Sequence, residues 1–418
     1  MLARLFDRLQ EDKTSIGAAL TITGIPLGMY LDFFMKIWIN WTILFMALSL
    51  FLLFDRRNIF RKEVELYSPV LFGIFAFQIL MITYGMMSEN MTFQFLSYHL
   101  YILGLLFAYL SITDFKKIDR IAQWIFITSI PSVLFGVLCC LIGIADGAGA
   151  ELYKQTFGED AYNLDTLTIS SAALNAFFSI ICFPTYDKRW KWWFICTIIF
   201  GGYVLLACGK RTPILILLIG IMVFSYIKGY RLNLSPKNIR RILAALCVLV
   251  ASYFCVDFVH ERVDSFAISL YEGLRGLFVS DIRPSDIPLS VYERLQTRDW
   301  AIDYIMNDFK WYNYIFGGGY FLKWIDYPAL QAYLDLGILG IFLFLLIVVF
   351  YPMRLILAKI NDNSVILVAL LALYPMFSII SSGTPYHPNN YVVVLLLAVS
   401  YQRYYSSCNE QKEGVLDI

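Results

Sequence analysis

Apolar runs of membrane-spanning length, broken by short charged segments, fill the chain from about residue 15 to about residue 405. A hydrocarbon core of about 30 Å is crossed by about 20 predominantly apolar residues in helical form. Runs of that kind lie near 15–34, 37–54, 66–86, 93–112, 121–145, 166–186, 190–208, 212–227, 240–259, 329–353, 364–382 and 390–405. They predict an all-α, polytopic membrane protein with about 12 transmembrane helices, because backbone crossing lipid must satisfy its own hydrogen bonds. On this reading residues 1–259 carry spans one to nine and residues 329–405 carry spans ten to twelve. Residues 260–328 form one long outer loop, and 406–418 form a tail on the same side as the N-terminus.

Lysine and arginine assign the sides, since cytoplasmic segments retain positive charge. With both termini in the cytoplasm, the inner segments hold Arg56, Arg57, Arg61 and Lys62, then Lys116, Lys117 and Arg120, then Lys188, Arg189 and Lys191. Lys228, Arg231, Lys237, Arg240 and Arg241 follow, and later Arg354, Lys359 and Arg403. The short outer loops hold Lys36, Lys154 and one anomaly, the pair Lys210 and Arg211 in "LLACGKRTPILIL". A cation at a membrane edge where topology disfavours it calls for an anionic partner, or it snorkels from a tight turn. Met1–Lys13 is a short charged segment, and the first apolar run shows no small-residue cleavage site, so no cleavable signal peptide is expected.

A loop of this length is usually functional. Residues 260–328 read as two amphipathic helices, the first around Glu261–Val279 and the second around Leu289–Phe309. The second places Val291, Leu295, Ile302, Ile305 and Phe309 at helical spacing. Then comes "YIFGGGYFLKW", whose Gly317, Gly318 and Gly319 break any helix, and "IDYPALQAYLDLGILG", which re-enters the membrane. Acids slightly outnumber bases in the loop, so its arginines make no broad anion funnel and any anion site is local.

Composition narrows the classes further. Charged residues are 16% against about 25% in a soluble globule, and mean hydropathy is +0.65. A net charge of +1 gives no reason to expect a nucleic-acid partner. The eight cysteines lie mostly within apolar runs and show no CxxC or metal spacing. His99, His260 and His387 are too scattered in sequence to suggest a metal site. Aromatics at 17% suit interfacial belts and sugar stacking alike.

Many spans, one large late outer loop, an arginine opening span eight, a loop helix carrying arginine, a glycine turn and then "LQAYLDLGILGIFLFLL" together resemble the O-antigen polymerase and O-antigen ligase superfamily of bacterial envelope glycosyltransferases. The Wzy-type polymerase is the nearer of the two. The architecture matches along the whole chain, and the motifs match within about 205–225 and 290–345. The resemblance implies transfer of a glycan from a polyprenyl diphosphate to an acceptor hydroxyl, on the periplasmic face of a bacterial inner membrane, with no cofactor and no required metal. Such a leaving group calls for guanidinium donors, which bind phosphate bidentately and stay charged. Arg211 and Arg294 match the family arginines, and Arg298 stands one turn further on the same helix face. Both loop arginines can instead pair with Glu293, Asp299 or Asp303 on a solvated helix.

The transfer also needs a base for the acceptor proton. The ligases carry a histidine ahead of the post-loop span, whereas this chain has Asp326, Tyr327 and Pro328 there. That departure points to polymerase rather than ligase, with Asp326 as the candidate base and Glu272 as the alternative. Lys210, Arg298, Tyr320, Trp324 and Tyr327 are candidate substrate contacts, the aromatics either stacking on sugars or lying in the interfacial belt. The implied partners are the lipid-linked oligosaccharide, as donor and acceptor, the bilayer, and a chain-length regulator. A lipid-linked oligosaccharide flippase is the rival of another class, but internal repeats of the kind transporters show are not evident.

Overall fold

The computed structural model describes residues 12–35, 39–54, 69–112, 120–142, 166–183, 190–208, 211–229, a few positions between 253 and 271, 289–379 and 383–416. Among these it is all-helical, with no strand. The helices are α1 (Lys13–Met35), α2 (Trp41–Leu53), α3 (Pro69–Met86), α4 (Phe93–Leu110), α5 (Ile121–Leu141), α6 (Thr166–Ile181), α7 (Lys191–Ala207) and α8 (Arg211–Lys228). After the loop come α9 (Leu289–Asn307), α10 (Pro328–Leu345, continued through a π-turn at Leu346–Phe350 to Leu357), α11 (Asn363–Ser378) and α12 (Asn389–Leu416). Each predicted apolar run coincides with one of these helices except 240–259, most of which lies outside the described residues. So does most of the first amphipathic loop helix, including Glu272. Four of the helices, α1, α3, α5 and α10, are long and apolar enough to cross a membrane.

The helix ends follow local chemistry. Asn40 accepts from the Ile43 N–H at 2.9 Å and caps α2, and Asp362 caps α11 by accepting from Ser364 and Val365. Asp32, near the end of α1, accepts from the Trp41 and Thr42 N–H groups and ties the first hairpin shut. α11 and the first half of α12, to Ser400, are buried nearly all round, with Val365–Ala372 and Val392–Val399 enclosed, so they form the centre of the bundle. The outer helices turn large apolar side chains outward instead, among them Phe51, Phe72, Phe107, Trp192 and Met222. An apolar exterior of that extent suits lipid rather than water.

α10 is the irregular helix. At Gly337 its backbone turns to φ 66° and ψ −160°, a conformation essentially reserved for glycine. The break falls where the triple-glycine turn crosses it. The Gly318 N–H donates to the Leu334 carbonyl at 2.8 Å, and the Gly319 N–H donates to the Asp335 carbonyl at 3.2 Å. Carbonyls that the broken helix cannot pair are thus satisfied by the loop. A Cβ on Gly317 would overlap the Asp335 carbonyl and the Leu336 nitrogen, so two glycines let two backbones touch.

α9 also differs in one respect from its sequence pattern. The face that packs inward carries Ala301 and Ile305, which cluster with Ile325 and Leu334. Ile302, expected on the apolar stripe, points out to the exterior. Stepping back from Ile305 and Ala301 by three and four residues reaches Arg298 and Arg294, so both arginines share the packed face.

Candidate functional site

That register carries Arg294 to Asp326. Its Nε donates to Asp326 Oδ2 at 2.6 Å, and the two side chains are 34% and 22% exposed. The other carboxylate oxygen, Oδ1, accepts from the Gly383 N–H at 2.7 Å, across the loop between α11 and α12. Asp326 is fixed by Ile325, buried just before it, and by the Ala329 N–H donating to the Ile379 carbonyl just after. Among the described residues no partner binds the terminal nitrogens of Arg294, the edge of the guanidinium that grips phosphate bidentately. Arg298 donates to Asp299 at 2.8 and 2.9 Å and stays partly exposed. Tyr327 lies within the field of both arginines; burial pushes its hydroxyl pKa up, and Arg298 and Arg294 pull it down.

The structure therefore brings Arg294, Arg298, Asp326 and Tyr327 together. Trp324 is exposed nearby, edge-on to Phe321, and Lys323 lies over the Trp300 ring at 4.4 Å, a cation–π contact. Arg211 opens α8, as expected from the sequence, although its side chain and Lys210 lie outside the described residues.

Tyr320 is placed in the interior. It is 1% exposed, and its hydroxyl meets His99 Nε2 at 3.2 Å. Burial, with Asp335 adding to it, raises its pKa. His99 Nδ1 in turn meets Gln78 Oε1 at 2.7 Å. Since an amide oxygen only accepts, Nδ1 carries the proton and Nε2 accepts from Tyr320. Tyr320 stacks on Tyr386 with ring centroids 4.6 Å apart, and the Tyr386 hydroxyl donates to Asp335. The second Asp335 oxygen accepts from the Leu322 N–H at 3.3 Å. Gln78, His99, Asp335, Tyr320 and Tyr386 are all buried. Polar and ionisable groups that deep are costly unless paired, and here pairing fixes the segment 320–322 that leads to Asp326. Asn90 clamps the same segment, donating to the Phe321 carbonyl at 3.0 Å.

Sequence reading missed this network. Its members lie in α3, α4, α10 and two loops, so no local spacing joins them. The available signal was that Gln78, His99 and Asp335 each interrupt an apolar run. Among the described residues no cluster of histidine, cysteine and carboxylate side chains is arranged to hold a metal ion. No family model, curated protein or solved structure matches the chain.

Proposed function

We propose that this protein is a membrane glycosyltransferase of the polymerase kind, extending a polyprenyl-diphosphate-linked oligosaccharide on the periplasmic face of a bacterial inner membrane. About 12 spans with both termini in the cytoplasm fit this reading. The ends assigned inward meet one another: Arg120 pairs with Asp12 at 3.1 Å, and Lys228 donates to Asn361 and Asn363. The ends assigned outward also meet, Asn90 with Phe321 and Asp326 with Gly383.

The observation that carries the chemistry is the Arg294–Asp326 pair, half-buried and closed by a backbone N–H, in the loop assigned to the outer side. Arg294, with Arg298 and Arg211, would stabilise the departing diphosphate. A carboxylate has about four lone-pair sites. Asp326 can therefore hold Arg294 and Gly383 while a free lone pair takes the proton of an attacking sugar hydroxyl. The new glycosidic bond forms at the anomeric carbon as its bond to phosphate breaks, and the lipid diphosphate leaves with the electron pair.

The test is a purified preparation given one lipid-linked repeat unit, without ATP, divalent metal or lipid A core. A ladder of longer products is expected, shortened or lost in Asp326→Asn while the protein remains folded. A preparation that stays inert until lipid A core is added, and then attaches one glycan to it, would make this chain a ligase. Movement of the unit between leaflets with no new glycosidic bond would make it a flippase.

A further inference from the structure

The turn between α9 and α10 presents apolar side chains that the site does not use. Trp311 is 76% exposed and Phe316 50%, with Tyr312, Tyr314 and Ile315 also turned outward. In an aqueous loop these would be a liability. We propose that residues 311–316 are an interfacial anchor that seats the outer loop on the outer leaflet of the bilayer. The inference rests on α10 crossing a membrane.

Helix length sets the level of this turn. α10 runs 30 residues from Pro328 to Leu357, about 45 Å at 1.5 Å per residue, half again as long as a hydrocarbon core. From Gly337 to Leu357 the length is about 30 Å, the core thickness itself, and Arg354 and Lys359 mark the inner end. The break at Gly337 therefore falls at the outer boundary. α3 ends within about one helical turn of that level. Its Gly73 packs on Ile347 of α10; counting outward, Met86 lies about 20 Å above that contact and Gly337 about 15 Å above it.

The turn lies against this boundary. A Cβ on Gly337 would overlap the Ile315 carbonyl and lie 2.6 Å from the Gly317 nitrogen. Just below, the outward face of α10 carries Ile338, 60% exposed, and Phe342, 59% exposed. The apolar surface of the turn is thus continuous with the lipid-facing surface of a spanning helix. Tryptophan and tyrosine are the residues that favour the headgroup level, where one end of the ring is wet.

Backbone at that depth must also be self-sufficient. Asn313 accepts from the Lys310 N–H at 3.0 Å and donates to the Gly317 carbonyl at 2.8 Å. Phe316 and Gly317 donate to the Tyr312 and Asn313 carbonyls, and Gly318 and Gly319 to α10. The Tyr314 hydroxyl donates to the Ile305 carbonyl at 3.1 Å.

The test places an environment-sensitive fluorescent amino acid at position 316, at 342 on α10, or at 303 on the exposed side of α9, in full-length protein in phosphatidylethanolamine–phosphatidylglycerol nanodiscs. Nitroxide carried high on the lipid acyl chain should quench positions 316 and 342 several-fold more than 303, and aqueous iodide should show the reverse order. Quenching at 342 but not at 316, with iodide reaching 316, would overturn the anchor. So would a label at 316 shielded from both quenchers, which would mean that a second copy or another protein covers the turn. No lipid quenching at 342 would overturn the membrane assignment and the anchor with it. If labelling at 316 impairs folding, the exposed position 311 gives the same comparison.

Discussion

Replacing Gly337 by alanine probes the α10 break directly. Two costs add at this position. The backbone at φ 66° and ψ −160° is one that side-chain-bearing residues rarely adopt, and holding one there costs about 1–3 kcal/mol. The new Cβ would also overlap the Ile315 carbonyl and crowd the Gly317 nitrogen at 2.6 Å. Both are backbone atoms that cannot rotate away, and overpacking of that kind costs about 1–3 kcal/mol more. Gly337→Ala should therefore lose about 4 kcal/mol of stability. The comparison is Gly202→Ala in α7, where a Cβ meets nothing within 4 Å and helix propensity predicts a gain of about 0.5–1 kcal/mol. Thermal unfolding in detergent, followed by the folded fraction retained on size exclusion, should separate the two variants by several degrees. Equal midpoints for the two would refute the break and the glycine contact on which it rests.

Two further outcomes follow from named contacts. Arg294→Ala should lower the rate of product formation roughly a hundredfold, as loss of one charge-assisted donor to a developing anion does; Arg294→Lys should recover little, since an ammonium lacks the guanidinium edge. Wild-type rates in either variant, at equal protein level, would remove Arg294 from the chemistry. Burial holds His387 at a pKa of about 4, against an ordinary 6.5, and its Nδ1 accepts from the Asn389 N–H. The unfolded chain binds this proton first, so stability is full above pH 6.5 and falls as pH drops towards 4. The loss is no more than about 3 kcal/mol, and less to the extent that solvent reaches the half-buried ring. His387→Asn keeps an acceptor in place and should flatten the pH dependence of the melting temperature over that window. An unchanged slope would assign it to other groups.

The helices were legible because burial in lipid demands unbroken apolar runs, and those runs need no knowledge of their neighbours. Asp326, Arg294, Arg298 and Tyr327 were legible one by one, through residue type and position. Their contact was not, because it depends on which stripe of α9 packs. Spacing alone admits a stripe through Ile302 as readily as one through Ala301 and Ile305, and the choice between them decides whether the arginines face Asp326. The triple glycine announced a turn, but its partner Gly337 was hidden inside "LDLGILG", which reads as continuous helix. Tyr320 looked like a surface aromatic because nothing within its own segment reveals His99, 221 residues away in the sequence.

The hydrogen bond from the Gly383 N–H to Asp326 has a consequence for biosynthesis. A membrane protein emerges and inserts from its N-terminus, so Arg294 and Asp326 are made before Gly383. Until α11 and the loop before α12 are in place, the carboxylate lacks the donor that holds Oδ1, and Asp335 lacks Tyr386. The Asp326 and Asp335 carboxylates thus gain these partners only from a segment made after both of them. A chain halted before residue 383 would carry Arg294 and Asp326 without the donor that holds Oδ1, and on the proposed function it would fail to act on lipid-linked sugars.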